Sequence, residues 1–261
     1  MNHLEKRMLS LLVDLKTRHH ALGVKAEFEA EGARTEEVLR LQYLALQAGL
    51  DLTLKIGGCE ALKDMHEAAI IGVRHVVAPM VETPYALSKF LQSIPRAFPD
   101  VQDVDFWVNI ETVTACREFS AMLAERGIEK LEGIVIGRTD LAGSLGLERS
   151  AVNDPAIFDW TRLVARQARE KGLHVRVGGT VSSRSLLFFQ ALRDDLNGFE
   201  TRKVLFGMSA LDQGEEALQK AIAFEILWLR NKKQYYGRLH HEDDERLLRL
   251  EALHPPREIL A

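Results

Sequence analysis

The feature that most constrains the fold is a regular alternation of strand-like and helix-like segments along the chain. Short apolar runs rich in β-branched residues are each followed by an amphipathic segment, and one such pair takes up about 25–30 residues. Because parallel strands need a crossover of a dozen or more residues between them, this alternation predicts parallel strands covered by helices. Seven strand segments are clear, at 24–30, 52–58, 75–81, 105–111, 133–138, 174–179 and 201–207.

Seven strands are close to the eight of a closed TIM-type (β/α) barrel. The alternative, an open doubly wound sheet, would favour a glycine-rich dinucleotide-binding turn after the first strand, and Ala30-Glu31-Gly32 is not such a turn. We therefore predict an α/β fold with a TIM-type (β/α) barrel. Because no clear strand precedes Val24, the first strand is predicted to be atypical or missing.

Both ends of the chain carry helix-like segments in addition to the barrel. The barrel domain is predicted to span residues 1–232, with an N-terminal helix at 3–20 that covers the gap or caps the base of the barrel. Residues 233–261 are predicted to be a charged helical extension that packs on the barrel exterior or on a neighbouring subunit, with a solvated tail as the alternative. These terminal segments lead us to expect a homo-oligomer.

Composition and charge exclude several classes of function. A net charge of −4 gives no reason to expect a nucleic-acid or membrane partner, and no apolar run reaches the roughly 18 residues that span a bilayer. Cys59 and Cys116 lie far apart and match no metal-binding or redox spacing. Without a visible signal peptide, the sequence predicts a cytoplasmic protein.

Charged residues fall on the strand face that points into the barrel. In the first strand segment, Ala26, Phe28 and Ala30 would face the helices, which leaves the other face to charged residues. Barrel interiors are ordinarily filled by branched apolar side chains, so charges there must pair or bind something. The predicted inward-facing residues of four strands are Lys25, Glu27, Glu29, Thr53, Lys55, Gly57, Trp107, Asn109, Glu111, Arg176, Gly178 and Thr180.

Four of the charged residues stand at the C-terminal ends of strands, where barrel active sites form. They are Glu29, Lys55, Glu111 and Asp140. Glu111 and Asp140, on adjacent strands, would make an all-oxygen site suited to Mg²⁺ or Mn²⁺. The alternatives are interior salt bridges, between Glu111 and Arg138 or from Lys55 to Glu27 or Glu29, and a Schiff base formed by Lys55.

Small residues at the strand ends are candidates for substrate binding. Gly57 and Gly137 would let a ligand approach the backbone closely, although ordinary turn glycines are an alternative for Gly57. Gly179 and Thr180 end the sixth strand and could bind an anion through N–H and hydroxyl groups.

Three motifs resemble the HpcH/HpaI aldolase and citrate lyase β-subunit family over roughly residues 24–210. They are VNIET at 108–112, GIVIGRTDLAGSLG at 133–146 and APMVET at 78–83. The resemblance implies a TIM barrel of the phosphoenolpyruvate/pyruvate type. It also implies a divalent metal held by Glu111 and Asp140, which binds the carboxylate and keto oxygen of a pyruvate-like group. Backbone N–H groups around Gly137, Thr139 and Asp140 would hold the substrate carboxylate.

The chain departs from this family pattern at three positions. Lys55 stands where the aldolases usually have an arginine, Ala30 stands at about the position of a histidine that assists proton transfer, and Arg138 replaces an uncharged residue. Arg138 would then supply the missing guanidinium from a different strand. We therefore expect the catalytic residues to be Lys55, Arg138 and Glu29.

The resemblance and the strand-end residues together predict a divalent-metal-dependent carbon–carbon lyase of the class II aldolase type. Its substrate would be a small 2-oxo acid or related carboxylate, which reacts through a pyruvate-like enolate. Two alternatives stay open. One is a metal–enolate enzyme of another reaction type, thioester cleavage or transfer from phosphoenolpyruvate. The other is a non-catalytic barrel that binds carboxylates.

Overall fold

Eight strands close into a barrel in the computed structural model, which describes residues 1–99, 103–235 and 241–253. Each strand pairs with the next along the chain, and the last pairs with the first. The predicted α/β TIM-type barrel is confirmed. The strands are β1 Ala21–Glu27, β2 Asp51–Lys55, β3 His75–Ala78, β4 Asp105–Ile110, β5 Leu131–Gly137, β6 His174–Gly178, β7 Gly198–Glu200 and β8 Val204–Gly207.

The last strand runs against the others. Strands β1 to β7 run parallel to one another, whereas β8 is antiparallel to both β7 and β1. Only residues 201–203 join β7 to β8, which is too short for a helical crossover, so the chain must reverse. The strand that sequence analysis did not find is therefore the seventh. The first is present, since β1 begins at Ala21 and pairs with β2 and β8.

Helices form the outer layer of the barrel. Strand-to-helix turns are fixed by side-chain caps: the hydroxyls of Thr83 and Thr112 accept the N–H groups of Ala86 and Ala115, each at 3.1 Å. The helices are α1 His3–His19, α2 Thr35–Ala48, α3 Leu62–Ile71, α4 Pro84–Ala97, α5 Val113–Met122, α6 Arg138–Ser144, α7 Pro155–Glu170, α8 Ser185–Ala191, α9 Gly214–Tyr235 and α10 His241–Leu253. No helix among the described residues is long and apolar enough to cross a membrane.

The main apolar core lies between the sheet and the helices, and the barrel interior is polar. Inside the barrel, Val77, Trp107 and Val135 form a small separate apolar cluster. The predicted inward charges are confirmed as buried groups for the strand residues Lys25, Glu27 and Arg176. Further buried polar side chains of the strands are Thr53, Asn109 and Glu200, with Glu111 directly after β4. The interior thus combines the ion pairs of Lys25 with Glu27 and Glu200, neutral polar side chains and this small apolar cluster.

The two terminal helices both pack on α9. Helix α1 contacts α9, α2 and β1, so it belongs to the outer layer, and the side chain of Asn2 donates to Asn231 at 2.8 Å. Helix α10 places Leu250 against apolar residues of α9, while Arg246 pairs with Glu225. Of the predicted extension 233–261, residues 236–240 and 254–261 lie outside the described residues.

Candidate active site

Glu111 is fixed at the C-terminal end of β4 by contacts to both of its carboxylate oxygens. Its side chain is buried, the backbone N–H of Met80 donates to Oε1 at 3.0 Å, and the amide of Asn109 donates to Oε2 at 2.8 Å. Met80 is a non-glycine residue at a φ of 52°, a conformation that costs free energy and that this contact helps to maintain. Each oxygen keeps a lone pair for a further ligand.

Gly137 and Asp140 lie on the next strand connection. A Cβ atom on Gly137 would come within 2.7 Å of Glu111 Oε2, so only glycine lets the carboxylate lie against the end of β5. Helix α6 starts at the next residue, and Asp140 is its third residue. The Asp140 side chain is exposed and makes no hydrogen bond or ion pair with the described residues. The two predicted metal ligands therefore sit at the ends of neighbouring strands.

Lys55 ends β2 and points to the same carboxylate. Its Nζ lies 3.5 Å from Glu111 Oε2, and its side chain is mostly buried. The neighbouring strand places Glu27 beside it in register. One alternative from the sequence was an ion pair of Lys55 with Glu27 or Glu29. In the structure, Lys55 forms its ion pair with Glu111. The structure thus brings Lys55 and Glu111 together as a charged pair at the mouth.

The donor set at this mouth fits a divalent cation. Glu111 itself lies where a Cβ on Gly137 would be, and each of its carboxylate oxygens keeps a lone pair for a cation. Among the described residues no group of three or more histidine, cysteine, aspartate or glutamate side chains could hold a metal ion, so the protein offers no complete cage. Two carboxylates suffice for Mg²⁺, which typically keeps one or two protein carboxylates and completes its shell with water and substrate. Glu111 and Asp140 are the residues that would hold it.

Further ion pairs join β1, the end of β7 and the turn that follows it. Lys25 Nζ pairs with Glu200 and lies 3.2 Å from Glu27 Oε1, and Glu27 is 3.9 Å from Arg202. Burial by itself lowers the pKa of Lys25, but the carboxylates of Glu200 and Glu27 raise it above its ordinary value. Burial likewise raises the pKa of Glu27, while Lys25 and Arg202 bring it below its ordinary value. Lys25 and Glu27 are therefore both charged near neutral pH. Sequence reasoning missed Glu200 and Arg202 because it missed β7.

Thr139, Gly179 and Thr180 come together on the other side of Asp140. The hydroxyl oxygens of Thr139 and Thr180 are 2.9 Å apart. Gly179 has a φ of +89°, and a Cβ there would lie 2.6 Å from the backbone nitrogen of Thr139. Thr180 also takes a left-handed conformation, with a φ of 45°. These three predicted binding residues form one polar surface where the first turn of α6 meets the loop after β6.

Arg138 lies in a different place from the one predicted. Its guanidinium is fully buried and donates to the carbonyl oxygens of Gly178, Gly179 and Val152, at 3.1, 3.0 and 3.3 Å. Asn153 Oδ1 and Ser185 Oγ accept its other two N–H groups, at 2.7 and 3.3 Å. With all five donors used, Arg138 has none left for a substrate. It neither pairs with Glu111 nor replaces the guanidinium of the family pattern.

The surroundings of Arg138 explain this position. Its guanidinium carbon lies 4.8 and 4.7 Å from the ring centres of Phe188 and Phe189, and burial lowers its pKa to about 9. The side chain ties the end of β6 to α8 and to the 3₁₀ helix Arg149–Asn153. Arg138 thereby supports the loop that carries Gly179 and Thr180.

Glu29 and Gly57 meet at the mouth on the β1 side. Glu29 lies in the loop after β1 and is exposed, and its carboxylate makes no hydrogen bond or ion pair with the described residues. A Cβ on Gly57 would come within 2.9 Å of Glu29 Cγ and Oε1. The N–H of Gly57 donates to Asp64 Oδ2 at 2.7 Å, so this glycine makes room for two carboxylates of the protein itself. That is a different role from the substrate contact predicted for Gly57.

Comparisons with known proteins agree with this geometry at the level of the fold. A citrate lyase from Burkholderia xenovorans superimposes with a TM-score of 0.59 at 14% identity, covering 94% of this chain and 88% of that one. An HpcH/HpaI aldolase/citrate lyase family protein from Burkholderia cenocepacia gives 0.58 at 16% identity, covering 85% and 99%. The citrate synthase SbnG gives 0.58 at 15% identity, covering 83% and 87%.

Sequence comparison goes further than the fold. No curated protein sequence matches the chain significantly. The model of the HpcH/HpaI aldolase/citrate lyase family matches residues 25–183, more than half of the chain. This span contains Lys55, Glu111 and Asp140, the charged residues at the ends of three strands. The chain therefore belongs to the HpcH/HpaI aldolase/citrate lyase family.

Proposed function

We propose that this chain is a divalent-metal-dependent carbon–carbon lyase of the class II aldolase type, acting on a 2-oxo acid through a pyruvate-like enolate. The observation that carries the proposal is the buried Glu111 carboxylate, held at both oxygens against Gly137 with Lys55 at 3.5 Å. This carboxylate stands at the C-terminal ends of the strands, where the active sites of barrels form. Membership of an aldolase and citrate lyase family supports the same reaction class.

Glu111 and Asp140 would hold Mg²⁺ or Mn²⁺ together with the substrate. When bound, the cation would supply Lewis-acid stabilisation of the negative charge that develops on the keto oxygen of the substrate. Met80 and Asn109 keep the Glu111 carboxylate oriented, which avoids reorganisation during the reaction. Lys55 would add a positive charge beside that oxygen, as a point charge and without the bidentate fork of an arginine.

The polar surface around α6 would bind the carboxylate of the 2-oxo acid. The hydroxyls of Thr139 and Thr180 and the backbone N–H groups of Thr139 and Asp140 are the donors we assign to it. Gly137 and Gly179 let Glu111 and Thr139 of the protein itself pack closely at this turn, since a Cβ on either glycine would clash with them. The carboxylate would thus be fixed on one side of the reacting carbon and Lys55 would lie on the other.

In the cleavage direction, the bond between C3 and C4 of a 4-hydroxy-2-oxo acid breaks and its electron pair passes into the enolate. The proton of the 4-hydroxyl group must then be taken by a base. Because Ala30 offers no imidazole, we assign this role to Glu29, an exposed carboxylate at the mouth with no partner among the described residues.

A second candidate keeps the metal and the enolate but changes the reaction to thioester cleavage or phosphoenolpyruvate-dependent transfer. Two observations favour it: Ala30 stands in place of the proton-transferring histidine, and the citrate synthase SbnG shares the fold. A non-catalytic carboxylate-binding barrel is the remaining candidate.

Product release from a substrate panel distinguishes these candidates. With Mg²⁺ or Mn²⁺, we expect pyruvate to be released from 4-hydroxy-2-oxo acids by the unmodified protein and not by Glu111→Gln. Phosphate release from phosphoenolpyruvate with an acceptor would favour the second candidate. Metal-dependent oxalate binding without any turnover would favour the non-catalytic barrel, and a protein that binds no metal would contradict both enzymatic candidates.

A further inference from the structure

An exposed arginine extends the polar surface formed by Thr139, Gly179 and Thr180. Arg149 is the first residue of the 3₁₀ helix that follows α6. Its Nε donates to Thr180 Oγ1 at 3.3 Å, and that oxygen lies 2.9 Å from the hydroxyl oxygen of Thr139. These two contacts place a guanidinium group at the edge of the surface assigned above to the substrate carboxylate.

Most of the donors of Arg149 are not used by the protein. Its two terminal nitrogens make no hydrogen bond or ion pair with the described residues. Arg138, which also contacts the loop after β6, gives its donors to five acceptors of the protein. Of these two arginines, only Arg149 can therefore donate to a ligand.

An alternative role for Arg149 is to support Asp140, the predicted metal ligand. Burial and the charges of three other arginines lower the pKa of Arg149, and the Asp140 carboxylate raises it. The two side chains form no ion pair in the structure. A cation held by Asp140 and Glu111 would take up the charge of the Asp140 carboxylate, so the guanidinium would be available to the substrate.

The donor set around Arg149 suits a free carboxylate. A guanidinium group can bind both oxygens of a carboxylate through parallel N–H donors, and such charge-assisted bonds are about twice as strong as neutral ones. The hydroxyl and backbone N–H groups assigned to this surface are neutral, and Lys55 lies beside Glu111 on the other side of the site. Arg149 is therefore the charged group on the carboxylate side.

We propose that Arg149 binds the carboxylate adjacent to the keto group and thereby makes a free 2-oxo acid, and not a thioester, the preferred substrate. The inference rests on the proposed function, because it takes the metal centre as the position of the keto oxygen. In a thioester, an uncharged sulfur atom replaces this carboxylate and gives the guanidinium no counterion. Arg149 thus separates two of the candidate reactions.

Oxalate binding measured by calorimetry tests this role of Arg149. In saturating Mg²⁺, Arg149→Gln should bind oxalate about tenfold or more weakly than the unmodified protein, the size expected for a lost charge-assisted hydrogen bond. Arg149→Lys keeps the charge without the planar fork and should recover part of the loss. Arg169→Gln, the matched control, removes an exposed arginine near the end of α7 and should bind oxalate unchanged.

Mg²⁺ affinity without oxalate distinguishes substrate binding from support of Asp140. Arg149→Gln should bind Mg²⁺ at least as tightly as the unmodified protein, because it removes a positive charge near the cation. A tenfold loss of Mg²⁺ affinity together with unchanged oxalate affinity would show that Arg149 serves Asp140 and would overturn the inference.

Kinetics of pyruvate release give a second measurement. With a 4-hydroxy-2-oxo acid, Arg149→Gln should raise KM about tenfold or more and change kcat less, since Arg149 contacts a group that does not react. Equal oxalate affinity in Arg149→Gln and the unmodified protein would overturn the inference and leave the proposed function standing. An unmodified protein that binds no oxalate in Mg²⁺ would contradict the proposed function, and the inference with it.

Discussion

At the scale of single residues, the site depends on a glycine as much as on its carboxylates. Gly137→Ala would place a Cβ 2.7 Å from Glu111 Oε2, and the carboxylate would have to move away from β5. Because a displacement of about 1 Å in a catalytic group can cost on the order of 100-fold in rate, we expect a loss of that size in pyruvate release.

The control for this prediction is another glycine six residues later. Gly143 lies within α6 and has nothing within 4 Å of the position of a Cβ atom, so Gly143→Ala should keep full activity and gain slightly in stability. Equal activity of the Gly137→Ala and Gly143→Ala proteins under saturating Mg²⁺ would contradict the role given to Gly137.

Side-chain positions were predictable from the sequence within strands, where alternation decides which face of the sheet a side chain lies on. Lys55 and Glu111 were expected at strand ends on the inner face, and they lie 3.5 Å apart there. The predicted position of Arg138 was wrong because Arg138 is the first residue of α6, where strand alternation no longer applies. Its five acceptors come from three later segments, at 152–153, 178–179 and 185, which no local pattern could connect to it.

At the scale of elements, the β7–β8 hairpin completes the interior charge network. Glu200 ends β7, and its carboxylate pairs with Lys25 of β1 across the barrel. Lys25→Met would leave Glu200 and Glu27 buried without this cation, which should cost about 3–5 kcal/mol of the free energy of unfolding. Adding Glu200→Gln should recover part of that loss, because one uncompensated charge is then removed.

Urea unfolding of the single and double variants measures this coupling. Additive losses in the two single variants would show that Lys25 and Glu200 do not interact. Lys63→Met gives a surface comparison: the exposed Lys63 side chain pairs with Glu67 one turn later in α3, and its loss should hardly change the unfolding midpoint.

The hairpin is also where element-level prediction failed. Strand β7 has only three residues, Gly198–Glu200, and a glycine begins it, so the segment gives no readable alternation. The sequence assigned residues 201–207 to one strand, whereas 201–203 form the turn and β8 starts at Val204. A strand this short forms because both neighbours supply its hydrogen bonds, which is a property of the closed sheet.

At the scale of the whole molecule, the alternating pattern was sufficient to predict a barrel because closure needs only repeated strand–helix units of similar length. The same pattern, with hydrophobic residues outward and charges inward, predicted that the candidate site residues lie on the inner face of the sheet. The pattern could not predict that α1 and α10 both pack on α9, because the contact between α1 and α9 joins segments far apart in the sequence.

A ligand that bridges strand ends should stabilise the entire barrel, because strands β4 and β5 unfold together with the rest of the closed sheet. Mg²⁺ with oxalate, an enolpyruvate mimic, at about 100 times its dissociation constant should add about 2.7 kcal/mol to the free energy of unfolding. For a chain of this size that corresponds to a rise in Tm of roughly 5–10 °C, measurable by calorimetry. Glu111→Gln and Asp140→Asn should abolish the rise, and Arg169→Gln should keep it. If the two carboxylate variants were stabilised as much as the unmodified protein, the cation would have to bind elsewhere, since a ligand stabilises only through the native groups that contact it.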